Sequence, residues 1–210
     1  MSDADKPDWT PVQRRLAAEM LPYLVESGWI ASRRRRQSID RDGNPIPWIT
    51  YPALDFVTPR VGAAMTVFEF GSGNSTLWWS ERVAQVMAVE HDLGWATKVA
   101  EMLPGNASVK HVPLEPGGDY CRYAQVSGQR FDVIVVDGRD RVNCALSSIE
   151  CLHPDGVIIW DNTERGRYAA GLRALGKEGF RRIGFRGPSP INSWASETSV
   201  LYRTANCLEI

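Results

Sequence analysis

The chain has 210 residues, of which 43% are hydrophobic and 23% are charged, and its net charge is -1. This length and composition predict one globular domain with a full hydrophobic core. The near-neutral charge argues against a general attraction to nucleic acid or to an anionic membrane. There is no run of about 18 apolar residues and no basic leader with an apolar centre, so we expect a cytoplasmic protein without a membrane partner.

The N-terminal part of the chain, up to about residue 60, is predicted to be helical and to cap a main domain of residues 61–210. Its first nine residues are polar and are expected to be frayed. Thr10 and Pro11 then begin a helix, because Pro is favoured at the first helical position. Apolar side chains repeat at helical spacing from there to Gly28, where this helix is expected to end.

Four consecutive arginines occupy positions 33–36, in a predicted loop. One interpretation is a contact with phosphate groups, and the other is a solvated edge with local salt bridges. A turn-rich connector follows and brings Trp48 and Tyr51 before a short helix predicted over 52–60. These two aromatic residues, together with Trp194, are expected to wall a substrate pocket.

From residue 66 onward, short apolar strands alternate with helical segments. Strands are predicted over 66–69, 84–90, 108–112, 131–137, 156–161, 180–184 and 198–202. Helices are predicted over 75–82, 94–102, 143–152 and 165–178, and a loop rich in Gly and Pro over 115–129. This alternation predicts an α/β fold with a doubly wound parallel sheet and helices on both faces. Ligands of such sheets bind at the carboxyl ends of the strands.

A glycine turn follows the first predicted strand. Gly71 and Gly73 allow the backbone to approach a ligand closely, and the next helix offers free N–H groups at its start. Ser75 and Thr76 are residue types that favour the N-cap of that helix. The third glycine of the GxGxxG dinucleotide fingerprint is absent, and Glu69 would repel a pyrophosphate, so a nicotinamide oxidoreductase is disfavoured.

Acidic residues end four of the predicted strands: Glu69, Glu90, Asp137 and Asp161. Because the carboxyl ends of parallel strands meet at one edge of a sheet, we expect these side chains in the same crevice. Burying several carboxylates is costly unless they bind something. Glu90 is placed to take the hydroxyls of a ribose, and Glu69 would attract a cationic group. The pattern therefore favours S-adenosylmethionine, a cationic nucleoside, as the cofactor.

Taken together, these motifs resemble those of class I S-adenosylmethionine-dependent methyltransferases. The glycine turn is similar to their glycine-rich motif, residues 88–92 to their ribose-binding acidic loop, and residues 132–138 to their fourth-strand motif. The resemblance implies a Rossmann-like sheet of seven strands, in which the last strand is antiparallel and lies beside the fifth. The C-terminal segment, with its Asn206-Cys207-Leu208 pattern, resembles uncharacterised bacterial methyltransferase-like proteins.

The resemblance also implies which residues meet the cofactor. Glu69, Gly71 and Gly73 would line its methionine part, and Glu90 would hold the ribose. In the long segment after the third strand, Asp119 or Tyr120 is the candidate for contact with the adenine ring. The complete set of candidate cofactor-binding residues is Glu69, Gly71, Ser72, Gly73, Ser75, Thr76, Glu90, His91, Asp119, Tyr120 and Asp137.

A narrower resemblance concerns the metal-binding pattern of catechol and caffeoyl-coenzyme A O-methyltransferases. In those families an Asp after strand 4 and an Asp-Asn pair after strand 5 bind a divalent ion, which implies Asp137, Asp161 and Asn162 as ligands of Mg²⁺ or Ca²⁺. The metal would hold a substrate hydroxyl and lower its pKa. The lysine base of those families is replaced by Asp140, so a metal-free hypothesis stays open, with Asp137 or Asp161 as general base.

The sequence therefore predicts methyl transfer from S-adenosylmethionine to a small or medium-sized substrate, at a hydroxyl oxygen. Two alternatives remain: an RNA methyltransferase that uses the arginine run, and a cofactor-binding protein without catalysis. The expected partners are the small-molecule substrate and, in a homodimer, a second copy of the chain. Of the adjacent Trp78 and Trp79, one is expected in the core and the other at the cofactor cleft.

Overall fold

The computed structural model describes residues 10–210, so the frayed segment predicted over residues 1–9 lies outside the described residues. Thr10 caps the first helix through a capping box with Gln13, in agreement with the predicted start. The predicted single helix divides at Met20, because Pro22 has no N–H with which to continue the hydrogen-bond ladder. The four N-terminal helices are α1 (Pro11–Glu19), α2 (Leu21–Glu26), α3 (Trp29–Arg35) and α4 (Tyr51–Val57).

Strands and helices alternate after α4, as the sequence predicts. The strands are β1 (Thr66–Phe70), β2 (Gln85–Glu90), β3 (Ala107–His111), β4 (Phe131–Val136), β5 (Leu152–Asp161), β6 (Arg181–Gly187) and β7 (Ser196–Tyr202). The helices are α5 (Asn74–Ser80), α6 (Leu93–Ala100), α7 (Asp119–Val126), α8 (Arg141–Ser147) and α9 (Ala169–Lys177). Short 3-10 turns cover Thr58–Arg60, Ile149–Cys151 and Gly166–Tyr168.

Four predicted elements need correction. The segment 115–129 is not a loop throughout, because it contains α7, whose Tyr120 and Ala124 are buried one helical turn apart. The helix predicted over 143–152 ends at Ser147, and β5 begins four residues earlier than predicted. The arginine run is not a loop either, since its first three residues form the last turn of α3.

The seven strands form one sheet in the order β3-β2-β1-β4-β5-β7-β6. Strands β1 to β5 run parallel, and β7 pairs antiparallel with both β5 and β6. This confirms the predicted Rossmann-like sheet with an antiparallel last strand inserted beside the fifth. The strand order reverses between β1 and β4, which opens a crevice at their carboxyl ends.

Apolar side chains cover both faces of the sheet. Alternate residues of β1 face opposite sides, so that Phe68 and Phe70 pack in one layer and Val67 packs in the other. Trp78 and Trp79 both lie in the Val67 layer and are 3% and 2% exposed, so both belong to the core. No helix among residues 10–210 is long and apolar enough to cross a membrane.

The described part of the N-terminal segment is joined to the sheet. Ile46, Tyr51 and Val57 belong to the same apolar layer as Val67. The Thr50 amide donates to Thr198 Oγ1 on β7 at 3.0 Å. Residues of this segment therefore share the core of the main domain, and they hold the connector that contains Trp48 against the carboxyl edge of the sheet.

Candidate active site

A cavity of about 540 Å³ opens at the carboxyl ends of β1, β2, β4 and β5. This volume lies within the range of about 300–1,000 Å³ that is usual for small-molecule sites. Its wall contains most of the predicted site residues: Glu69, Gly71, Ser72, Ser75, Glu90, His91, Asp137, Asp161 and Asn162. The wall is completed by Trp48, Phe70, Trp95, Gly138, Arg139, Arg141, Arg165, Asn192 and Trp194.

The glycine turn is shaped by close backbone packing. Gly71 has a φ of 96°, in the region that favours glycine, and a Cβ there would lie 3.2 Å from Gly138 Cα. Gly73 is itself the N-cap of α5, and its amide donates to Thr76 Oγ1 at 3.1 Å. Ser75 and Thr76 are therefore not N-cap residues: Ser75 faces the cavity, and Thr76 supports the turn from within the helix.

Glu69 is the most buried acid of the cavity wall, with only 1% of its surface exposed. Its Oε2 atom has no hydrogen-bond partner among the described residues. Burial raises the pKa of Glu69 to about 7, against the opposing effect of the Thr76 and Ser75 hydroxyls. A buried carboxylate oxygen without a partner, on the wall of a cavity, is suited to a cationic or hydrogen-bond-donating ligand.

Glu90 is held in place by backbone amides at the end of β2. Its Oε1 accepts from the amides of His91 and Asp92 at 2.7 and 3.0 Å, and its Oε2 accepts from the Ser72 amide at 3.2 Å. Trp95 fixes the other side of the turn, because its Nε1 donates to the Ser72 carbonyl at 2.8 Å. Sequence reasoning missed Trp95, whose only signal is an aromatic residue in the first turn of the helix after β2.

Arg141 occupies the position in which the sequence predicts a metal ion. Its guanidinium lies 2.8 Å from Asp137 Oδ1 and 3.9 Å from Asp161 Oδ2, and it donates to Asn162 Oδ1 at 3.2 Å. It also donates to the carbonyls of Asp137, Gly138 and Asp161 at 2.8, 2.9 and 2.6 Å. The three predicted ligands thus share a guanidinium, so this group of residues does not fit a divalent ion.

The charges at this end of the cavity are strongly coupled. Burial alone would lower the pKa of Arg141, but Asp137 and Asp161 raise it above its usual value. Burial raises the pKa of Asp161 to about 8, and Asp137 adds to this shift. Asp161 Oδ1 also accepts the Thr198 hydroxyl at 2.5 Å. Burial also raises the pKa of Asp137, against the charges of Arg141 and Arg165, so one guanidinium serves two acids that both hold their protons more tightly than usual.

Asp119, Tyr120 and Asp140 lie outside this wall. Asp119 is on the exposed face of α7, with its side chain 87% exposed, and Tyr120 is fully buried beneath the loop after β4. The Tyr120 hydroxyl accepts from the Arg139 amide at 3.5 Å. Asp140 stands where the resembling families have their lysine base. Its carboxylate accepts from the Gly117 amide at 2.8 Å, so it anchors a neighbouring loop.

The mouth of the cavity is formed by Trp48 and Trp194, which are 43% and 65% exposed. Tyr51, which is expected in the same wall, is only 2% exposed and belongs to the core. The loop that contains Trp194 is held by α3, because Trp29 Nε1 donates to the Asn192 carbonyl at 2.7 Å. Arg33 also donates to this loop, so the first arginine of the run has a structural contact.

Comparisons with known proteins support the fold assignment. No family model matches the sequence, and no curated protein matches it. An rRNA methylase from Streptococcus thermophilus is 12% identical, with a TM-score of 0.57 over 75% of this chain and 100% of its own. A Streptococcus mutans protein in complex with SAH is 11% identical, with a TM-score of 0.53 over 73% and 99% of the two chains.

A methyltransferase from Geobacter sulfurreducens is similar over almost the whole length of both chains. It is 18% identical, with a TM-score of 0.50 over 96% of this chain and 94% of its own. The chain therefore shares the Rossmann-like fold of these solved structures. At these identities the comparisons establish the architecture, and the chemistry has to be argued from the side chains of the cavity.

Proposed function

We propose that the protein transfers a methyl group from S-adenosylmethionine to a hydroxyl oxygen of a small or medium-sized acceptor. The observation that carries this proposal is the Glu69 carboxylate, which is buried on the cavity wall with an unpartnered oxygen. Glu90 lies on the same wall at the end of the neighbouring strand. A cationic group beside Glu69 and a ribose beside Glu90 would satisfy both acids at once.

The cofactor-binding residues would act as a preformed cradle. Glu69 would pair with the ammonium group of the methionine part, and the backbone of Gly71 would allow close approach. Glu90 would accept the ribose hydroxyls, and Trp95 would present its ring beside the nucleoside. When bound, S-adenosylmethionine supplies a methyl group on a cationic sulfur, which makes that methyl group electrophilic.

The acceptor would be activated by Asp161. Its raised pKa, about 8, makes it a stronger base than an ordinary carboxylate, and its ionised fraction grows as the pH approaches 8. The acceptor oxygen would lose its proton to Asp161 as it takes the methyl group. Asp137 and Arg141 would orient the acceptor, because their ion pair fixes the floor of the cavity beside Asp161.

Calorimetric titration with S-adenosylhomocysteine (SAH) tests the cofactor assignment. Glu69→Gln keeps the shape of the side chain but removes its charge, so SAH should bind at least roughly tenfold more weakly. Glu90→Ala should abolish most of the binding. Glu81→Gln, at the exposed C-terminal end of α5 and away from the cavity, serves as the matched control and should bind SAH like the wild type. Equal affinity of the Glu69→Gln variant and the control would disprove the assignment.

A further inference from the structure

A second cavity, of about 290 Å³, adjoins the first. Gly138, Arg139, Arg141 and Arg165 line both cavities, so the two spaces meet along the loops after β4 and β5. The second cavity shares Arg141 with the first, and its wall includes neither Glu69 nor Glu90. Its wall consists of Gly138, Arg139, Asp140, Arg141, Val142, Arg165, Arg167 and Tyr168.

The second cavity has an excess of positive charge. Four arginines line it against one carboxylate, and that carboxylate, Asp140, is already bonded to Asn143 Nδ2 at 2.9 Å. Among residues 10–210, Arg139 and Arg167 have no carboxylate within 4.0 Å. The nearest contact of Arg165 is with Glu164, at 3.8 Å. At least two cations therefore face the cavity without a counterion from the described chain.

Arg139, Arg165 and Arg167 are exposed at the rim of the second cavity, and contacts with the fold limit where they can lie. The guanidinium of Arg167 lies 5.0 Å from the ring centroid of the buried Tyr168. The backbone of Arg139 is fixed by its contact with the Tyr120 hydroxyl. Burial raises the pKa of Asp137, and the charges of Arg141 and Arg165 oppose this shift, so the charge of Arg165 acts on the first cavity as well. Converging cations beside a concave surface are suited to an anion.

We propose that the second cavity binds an anionic group, a carboxylate or a phosphate, carried by the methyl acceptor. Arg139, Arg165 and Arg167 would bind this group, and the rest of the molecule would extend into the first cavity toward Asp161. The proposal rests on the proposed function, because it identifies the ligand as the acceptor. It narrows the substrate class to anionic hydroxyl compounds.

Anion binding is measurable without knowledge of the natural acceptor. Benzoate, phenyl phosphate and the uncharged benzamide would be titrated into the full-length protein by calorimetry, with and without saturating SAH. We expect at least one of the two anions to bind and benzamide to bind at least roughly tenfold more weakly. A preference for benzoate would indicate a carboxylate acceptor, and a preference for phenyl phosphate would indicate a phosphate.

The double variant Arg139→Gln/Arg167→Gln should lose the anion affinity by roughly tenfold or more. Arg173→Gln, on the exposed face of α9, is the matched control and should behave like the wild type. Wild-type binding of benzamide equal to that of the anions would overturn the proposal, as would undiminished anion binding by the double variant. Folding of every variant would be checked by its unfolding midpoint.

Three further outcomes separate this proposal from its alternatives. If SAH fails to bind while the anions bind as expected, the cofactor assignment fails and the anion site stands. If SAH binds and neither anion does, the anion site fails and the cofactor assignment stands. A short single-stranded RNA that binds tightly to the wild type, and weakly to the double variant, would assign these arginines to RNA recognition and overturn the small-acceptor proposal.

Discussion

At the ends of β1 and β2, an acidic side chain is held by backbone amides, whereas at the ends of β4 and β5 two acids are held by one guanidinium. In terms of the proposed reaction, we call the first region, Glu69, Ser72 and Glu90, the cofactor half, and the second, Asp137, Arg141 and Asp161, the acceptor half. Glu90 accepts three amides from the two loops beside it. Its position is therefore a consequence of the backbone, which tolerates changes in neighbouring side chains.

The acceptor half depends on a single side chain instead. Arg141 is 10% exposed and connects the loops after β4 and β5 through both carbonyls and side chains. Removal of that residue would leave two carboxylates beside each other without a counterion. The two halves should therefore differ sharply in how they respond to substitution, to pH and to metal ions.

The largest effect is expected for Arg141→Met. Removing one partner of a buried ion pair usually costs about 3–5 kcal/mol of unfolding free energy, because the remaining charge stays buried. Urea unfolding at neutral pH measures this loss. Arg122→Met removes an exposed arginine whose distance to Asp119 is 3.7 Å, and this control should lose less than about 1 kcal/mol. Similar losses for the two variants would contradict the role of Arg141 as the central support of the acceptor half.

The pH dependence of stability provides a second test, centred on Glu69. Burial raises its pKa from a usual value of 4.5 to about 7, so the folded protein holds this proton more tightly than the unfolded chain. The contribution of the bound proton to the unfolding free energy is fully present below about pH 4.5 and is lost as the pH rises through 7. Between pH 5 and pH 8, the unfolding free energy of the wild type should thus fall by on the order of 3 kcal/mol relative to that of Glu69→Gln.

Urea unfolding of both proteins across this pH range measures the difference. Saturating SAH should reduce the loss in the wild type, because its ammonium group would pair with the ionised Glu69. Parallel pH profiles of the wild type and Glu69→Gln would show that this carboxylate ionises without cost in the folded protein.

The smallest effect is expected for metal ions. Because Arg141 already contacts the oxygens of Asp137, Asp161 and Asn162, millimolar Mg²⁺ or Ca²⁺ should leave the unfolding temperature of the wild type unchanged. A chelator should be equally without effect. The Arg141→Met variant, which frees these oxygens, should instead be stabilised by Mg²⁺. Stabilisation of the wild type by either ion would restore the metal hypothesis.

Most of the cofactor half is predictable from the sequence because its residues lie in short, contiguous motifs. The parallel sheet brings the glycine turn after the first strand beside the acid that ends the second strand, so a short motif is enough to locate both. What the sequence does not reveal is fine geometry. Gly73 rather than Ser75 or Thr76 caps α5, because the turn needs a φ of 152° at that position before the helix begins.

The acceptor half resists prediction because it depends on an unusual backbone conformation. Asp140 has a φ of 46°, a value that non-glycine residues adopt rarely, and it immediately precedes α8. Asn143 and Gly117 stabilise this conformation through the Asp140 carboxylate. The resemblance to metal-dependent O-methyltransferases implied a metal here, because the sequence pattern does not reveal that Arg141 folds back onto Asp137 after this turn.

The contact between Gly71 and Gly138 has a consequence for how substrate preference can evolve. A Cβ at position 138 would clash with the Tyr120 hydroxyl and lie 2.9 Å from the Gly71 amide nitrogen. Main-chain atoms therefore separate the two halves of the cavity at this point. The Asp137 amide also donates a hydrogen bond to the Phe70 carbonyl at 3.2 Å, which holds the two strand ends together. In the proposed enzyme, substitution of side chains at the mouth, such as Trp48 and Trp194, would therefore change the fit of the acceptor while the main chain keeps the spacing between donor and acceptor.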